Sequence, residues 1–131
     1  MPAPIVRFRI DFSDGCGVSP ANIDLLEAIR SVGSLSQGAR SLGMSYRRAR
    51  LLIDGFKGAF SQPVTRAVRG GAGGGGVMLT EFGEELVDSY RRLEREIGSL
   101  ATRRLQSISA SVAYRSGLKP LHQRRPAVRR V

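Results

Sequence analysis

Five arginines stand in two short stretches where their chemistry could matter: Arg47, Arg48 and Arg50 in "SYRRARLLI", and Arg66 and Arg69 in "PVTRAVR". A guanidinium fork can donate two parallel hydrogen bonds to a phosphate or to the O6/N7 edge of guanine, which a lysine point charge cannot. The second stretch runs into "GGAGGGG", six glycines in seven residues. Gly71, Gly73 and Gly76 formally fit a dinucleotide fingerprint, but that motif needs a strand before it and a helix opening at once after it. Here an apolar run, "VML", intervenes before the next helix, and no Gly-Lys-Ser/Thr follows to make a phosphate loop. The cluster reads as a hairpin tip; the alternative is an unstructured loop that contacts nothing.

Catalytic chemistry finds little support. His122 is the sole histidine, Cys16 the sole cysteine, and no carboxylate pair falls in an apolar setting. No side-chain set suits a metal, and no cofactor is expected.

The charge points elsewhere. The 131 residues carry 21 Lys+Arg against 11 Asp+Glu, a formal charge of +10. Residues 1–79 hold ten basic and five acidic side chains, residues 80–100 three and six, and residues 101–131 eight and none. Such an excess contributes nothing to a fold and suits a polyanion. Because it is almost all arginine, nucleic acid is preferred over an acidic protein. With one cysteine, no signal peptide and no apolar run near 18 residues, the expected location is the cytoplasm, without a membrane partner.

The elements that would position these arginines follow from periodicity and caps. "VRFRIDF", residues 6–12, alternates as a half-buried strand with Val6, Phe8, Ile10 and Phe12 on one face, closed by Asp14-Gly15. Ser19-Pro20 starts a helix to about Val32, with Ile23, Leu26 and Ile29 on one face widened by Leu25 and Val32, and Gly33 as its left-handed end. Ser34 starts a short helix burying Leu35, Ala39 and Leu42. Ser45 starts a longer one, residues 46–60, with Ala49, Leu52, Ile53, Phe56 and Phe60 inward. Residues 63–69 and 77–79 read as paired strands around the glycines. From Thr80 a last helix carries Phe82, Leu86, Tyr90, Leu93, Ile97 and Leu100 at spacings of 4, 4, 3, 4 and 3, close to a coiled-coil seam. That spacing predicts a dimer interface with a second copy. Domain boundaries follow: a DNA-binding domain over 1–105, its dimerisation helix at about 80–105, and a basic flexible tail over 106–131.

Ala39 and Gly43, four apart between the two helices of "SLSQGARSLGMSYRRARLLI", fit a helix-turn-helix, although any helix pair joined by a glycine turn shares the pattern. In a DNA-reading version the first turns of the second helix enter the major groove. The DNA-contacting residues are then Ser34, Ser36, Ser45, Tyr46, Arg47, Arg48 and Arg50, with Arg66, Arg69, Gly71, Gly73 and Gly74 of the hairpin, or wing. Arg50 ranks below Arg47 and Arg48, because Asp54 lies one turn on and could pair with it.

"SLSQGARSLGMSYRRAR" followed by "GGAGGGGVMLTEFGEELVDSY" resembles the N-terminal domain of the ModE-type molybdate-responsive transcription regulators, which are related to the LysR-type DNA-binding domain. The resemblance covers about residues 5–100. It implies a mainly α fold with a small β-hairpin wing, a winged helix-turn-helix with a long C-terminal dimerisation helix. It further implies a homodimeric bacterial regulator of duplex DNA. Two residues depart from the family's pattern: Arg50 stands where tryptophan is usual, and Ala72 where the wing often carries a basic residue. The chain ends where molybdate-binding domains would begin, so the expected regulator lacks its own molybdate site and could recruit a separate ligand-sensing protein. An architectural, nucleoid-type protein with low sequence specificity is the alternative.

Overall fold

Three serines and a threonine start the main helices. Ser19 accepts from the Asn22 N–H while the Asn22 side chain accepts from the Ser19 N–H at 2.9 Å, closing a reciprocal box at the head of α1 (Pro20–Val32). Ser34 accepts from the Gln37 N–H ahead of α2 (Leu35–Ser41), and Ser45 from the Arg48 N–H ahead of α3 (Tyr46–Asp54). The Thr80 hydroxyl donates to the Pro63 carbonyl at 2.6 Å and accepts from the Gly83 N–H at 3.0 Å. Helix α4 (Glu81–Arg104) therefore begins tied to the chain that precedes it, with Glu81 and Glu84 in its first turn, where the helix dipole favours anions. This computed structural model describes residues 3–69 and 76–113. The expected wing-tip glycines Gly71, Gly73 and Gly74, and the tail from residue 114, lie outside the described residues.

Two antiparallel hairpins complete the set. β1 (Ile10–Ser13) pairs with β2 (Cys16–Val18) around Gly15, and β3 (Thr65–Val68) pairs with β4 (Gly76–Leu79), Thr65 opposite Leu79 and Val68 opposite Gly76. The second hairpin is the expected wing base. Together the elements make a winged helix-turn-helix with a long last helix.

The core lies within the unit Arg7–Leu93. Val18, Ile23, Leu25, Leu26, Ile29, Leu35, Ala39, Ala49, Ile53, Phe56, Val64, Leu79, Val87 and Tyr90 form one buried cluster. Two glycines allow the backbone to close around it. A Cβ on Gly83 would collide with the Val64 carbonyl oxygen, and one on Gly76 would stand 2.7 Å from the Gly33 carbonyl oxygen, which also accepts from the Val77 N–H at 3.0 Å. The last glycine of the cluster thus seats the wing base against the turn between α1 and α2. The second unit, residues 1–6 with the chain from Glu94, holds the remainder of α4 and the short α5 (Gln106–Ala110).

Three expectations need correction. Helix α3 ends at Asp54 rather than Phe60: Phe56 and Phe60 keep a helical spacing, but Gly58 takes φ 74°, which no right-handed helix contains. Pairing in the first strand begins only at Ile10, and a bulge between Asp11 and Ser13 breaks the two-residue alternation, so Phe12 is exposed. Val32 and Leu42, each 40% exposed, sit at helix ends beyond the last turn facing the core. The expected tail from residue 106 begins with α5, and its remainder from residue 114 is outside the described residues.

Candidate nucleic-acid interface

Helix α3 is held by one side only. Ala49 and Ile53 are buried, whereas Ser45, Tyr46, Arg47, Arg48, Arg50 and Leu51 are exposed. Beneath it, Ala39 is buried and its carbonyl accepts from the Met44 N–H at 2.9 Å, while Gly43 takes φ 65° to turn the chain. The expected Ala39/Gly43 pairing therefore makes the turn. Gly38, which the sequence pattern did not single out, lies where α2 packs on α1, and a Cβ there would stand in ordinary contact with Ile29 and Ala28.

The charges of this face differ in what they already hold. Arg50 pairs with Asp54 at 3.4 Å, as its spacing predicted, and Lys57 reaches the same carboxylate at 3.3 Å. Arg47, Arg48, Arg66 and Arg69 are exposed and have no ion-pair partner among the described residues. Ser34 is half-buried and Ser45 exposed, each acting as a cap, and Ser36 is exposed. Elsewhere carboxylates are matched by arginines that the sequence reading had not placed. Arg91 binds Asp24 and Glu27, each at 2.7 Å, and Arg30 binds Glu84 at 2.8 Å and Asp88 at 3.1 Å. Hydrogen bonds to Glu84 and then Asp88 raise the Arg30 pKa above the ordinary arginine value. The signal for these pairs was weak, since their partners lie more than fifty residues apart. Among the described residues no cluster of His, Cys, Asp and Glu could hold a metal ion, and no helix is long and apolar enough to cross a membrane.

The chain matches no protein-family model. It does match individual proteins. Over 99 residues it is 36% identical to "Molybdenum transport protein ModE" of Azotobacter vinelandii, covering 76% of this chain and 37% of the relative. Over 71 residues it is 38% identical to "DNA-binding transcriptional dual regulator ModE" of Escherichia coli K12, covering 54% and 27%. The chain is homologous to the ModE-type proteins. A third relative, "Molybdenum-pterin-binding protein MopB" of Rhodobacter capsulatus, is 35% identical over 86 residues, covering 66% and 32%. The chain thus spans about a third of the length of these relatives.

The residues expected at a dimer seam divide into two groups. Phe82 meets Phe60 edge-on at 5.2 Å and packs with Leu86 against the core. Tyr90 is buried, its ring stacked on Phe8 at 4.7 Å and its hydroxyl donating to the Phe8 carbonyl at 2.7 Å. These three are spent on their own domain, because a stripe at spacings of three and four serves an internal core as well as a partner helix. Leu93 and Ile97 are half-buried and Leu100 is 45% exposed.

Proposed function

We propose that this chain is a DNA-binding transcription regulator that acts on duplex DNA as a homodimer. The observation that carries the reading is the outer face of α3, where Arg47 and Arg48 are exposed and have no ion-pair partner among the described residues, on a helix whose opposite side is anchored in the core. Such a helix can enter a major groove without disturbing the fold, and its arginines can donate to guanine edges or phosphates at no cost in broken ion pairs. Ser34, Ser36, Ser45 and Tyr46 lie at the starts of the two helices and would grip the backbone. Arg66 and Arg69, with Gly71, Gly73 and Gly74, would follow the adjacent groove or strand. The name of the Escherichia coli relative, a DNA-binding transcriptional regulator, supports the same reading.

The domain is taken as residues 1–105, paired with its twin through the part of α4 that its own core leaves available, Leu93, Ile97 and Leu100. Two copies would then address half-sites about one helical turn apart. The basic residues after 113 would add sequence-independent affinity. Molybdate binding is not assigned to this segment: half-buried Arg91 holds Asp24 and Glu27, and the more exposed Arg30 holds Glu84 and Asp88 with Glu27 at 3.8 Å, so both are already engaged by carboxylates. DNA affinity is expected to be unchanged by added molybdate.

The test is selection of fragmented source-genome DNA by the purified protein at about 0.15 M salt, where nonspecific phosphate binding is partly screened. A few recovered loci sharing an inverted repeat are expected. Even coverage of the genome would overturn the regulator reading in favour of an architectural protein, whose α3 arginines grip phosphates alone.

A further inference from the structure

The outward pole of α3 is not all arginine. At about 100° per residue, buried Ala49 and Ile53 with half-buried Leu52 define the inward side, and the opposite pole falls between Arg47 and Leu51. Arg48 flanks Leu51 on the other side. Leu51 is 64% exposed, the most exposed large hydrophobic residue among those described. A lone exposed leucine needs no explanation in itself. Its position does: it stands one turn from Arg47 and three residues from Arg48, the two α3 arginines with no carboxylate partner among the described residues, while Arg50 and Asp54 pair with each other on the side of the pole beyond Arg47.

A helix that enters the major groove by this pole sets Leu51 against base edges between two guanidinium groups. Leucine has neither donor nor acceptor, so a cytosine or adenine amino group, or a guanine carbonyl, would lose water against it and gain nothing. The one apolar feature of the major-groove floor is the C5-methyl group of thymine. We infer that Leu51 is a specificity-determining residue that selects thymine by burying this methyl, next to a guanine read by Arg47 or Arg48. The inference rests on the proposal that α3 enters the groove, and it adds a preference that the arginines cannot supply.

The experiment uses the full chain and a random duplex library. The enriched duplex is resynthesised with deoxyuridine in place of each thymidine in turn, which removes only the methyl group. At one thymine per half-site the unaltered protein is expected to lose about fourfold in affinity, the worth of one buried methyl. Leu51→Ala, at an exposed position and with an unchanged melting temperature, should bind the thymine and uracil duplexes equally while keeping its preference for guanine. The inference is overturned if no replacement changes binding, or if Leu51→Ala keeps the full difference. In either case the groove reading survives provided that Arg47→Ala and Arg48→Ala lose discrimination at guanines. If the library yields no enriched sequence at all, the groove reading falls with it.

Discussion

The three arginines of α3 are chemically identical and placed within four residues, yet they should behave differently. Arg50 shares Asp54 with Lys57, and the local charge around it is partly cancelled. Breaking an exposed pair of this kind costs less than about 1 kcal/mol, so Arg50 can still assist as a phosphate grip. Arg47 or Arg48, bidentate on guanine, would supply roughly 1–3 kcal/mol of discrimination. Replacing either by alanine should lower affinity for an enriched duplex about tenfold to a hundredfold relative to a scrambled one. Arg50→Ala should weaken both duplexes alike and by less. Anisotropy titrations on the two duplexes decide this, and a larger loss of discrimination from Arg50 would reverse the assignment. Glycines show a similar split at single-residue resolution. A Cβ at Gly83 would push on the Val64 carbonyl, with the Leu79 Cβ at 3.3 Å, and the Val64 backbone cannot easily give. Gly83→Ala should therefore destabilise by about 1–3 kcal/mol, the usual cost of overpacking. Gly98, inside α4 with no atom within 4 Å of a Cβ, should gain up to about 1 kcal/mol from the same change through reduced chain entropy. Thermal denaturation of the two variants should move in opposite directions.

Between elements, the described domain relies on arginine ties across α1 and the first half of α4. Arg91, 22% exposed, holds Asp24 and Glu27, and Arg30, 34% exposed, holds Glu84 and Asp88. Arg91→Met keeps the apolar stem, takes this arginine from Asp24 and leaves Glu27 with Arg30 at 3.8 Å, and should cost on the order of 1–2 kcal/mol. Arg30→Met should cost less because water screens it more. Chemical denaturation at low and high salt measures both, and a loss that does not shrink with salt would show that packing rather than charge was removed. Arg30 adds no pH dependence across the neutral range. Its folded pKa is raised, so its contribution is complete below the unfolded arginine value and is lost only as pH climbs past the folded one. These ties were illegible in the sequence, since Asp24 and Arg91 are neighbours only after folding. What was legible is local: the caps at Ser19, Ser34, Ser45 and Thr80, the turn at Gly43, the exposed arginine-bearing face of α3 and the hairpin flanking the glycines. The end of α3 was hidden because Phe56 and Phe60 continue a helical spacing that the backbone abandons at Gly58. The stripe of α4 was legible as apolar but not as to its owner; Phe82, Leu86 and Tyr90 serve their own core.

For the whole molecule, what is left of that stripe is where the proposed homodimer would pair. If Ile97 and Leu100 meet their copies in a second chain, Ile97→Glu combined with Leu100→Glu places charges in an apolar seam and should yield a monomer by sedimentation. Its affinity for a two-half-site duplex should then approach that for a single half-site, while the melting of Arg7–Leu93, whose core the changes do not touch, stays in place. A monomeric unaltered chain would remove the homodimer from the proposal. The tail tests a different kind of contribution. Residues 114–131 carry six Lys or Arg and no acid, and each phosphate they neutralise would release condensed counterions. Specificity and affinity should separate here, because phosphates carry no sequence information. Removing residues 114–131 should flatten the plot of log affinity against log salt by up to about 5, from roughly 0.9 per phosphate contact. The ratio of enriched to scrambled duplex should not change, since Arg47, Arg48 and Leu51 remain on α3. A slope that stays the same would take the tail off the DNA, and a fall in the ratio would mean that it contacts base edges as well as phosphates.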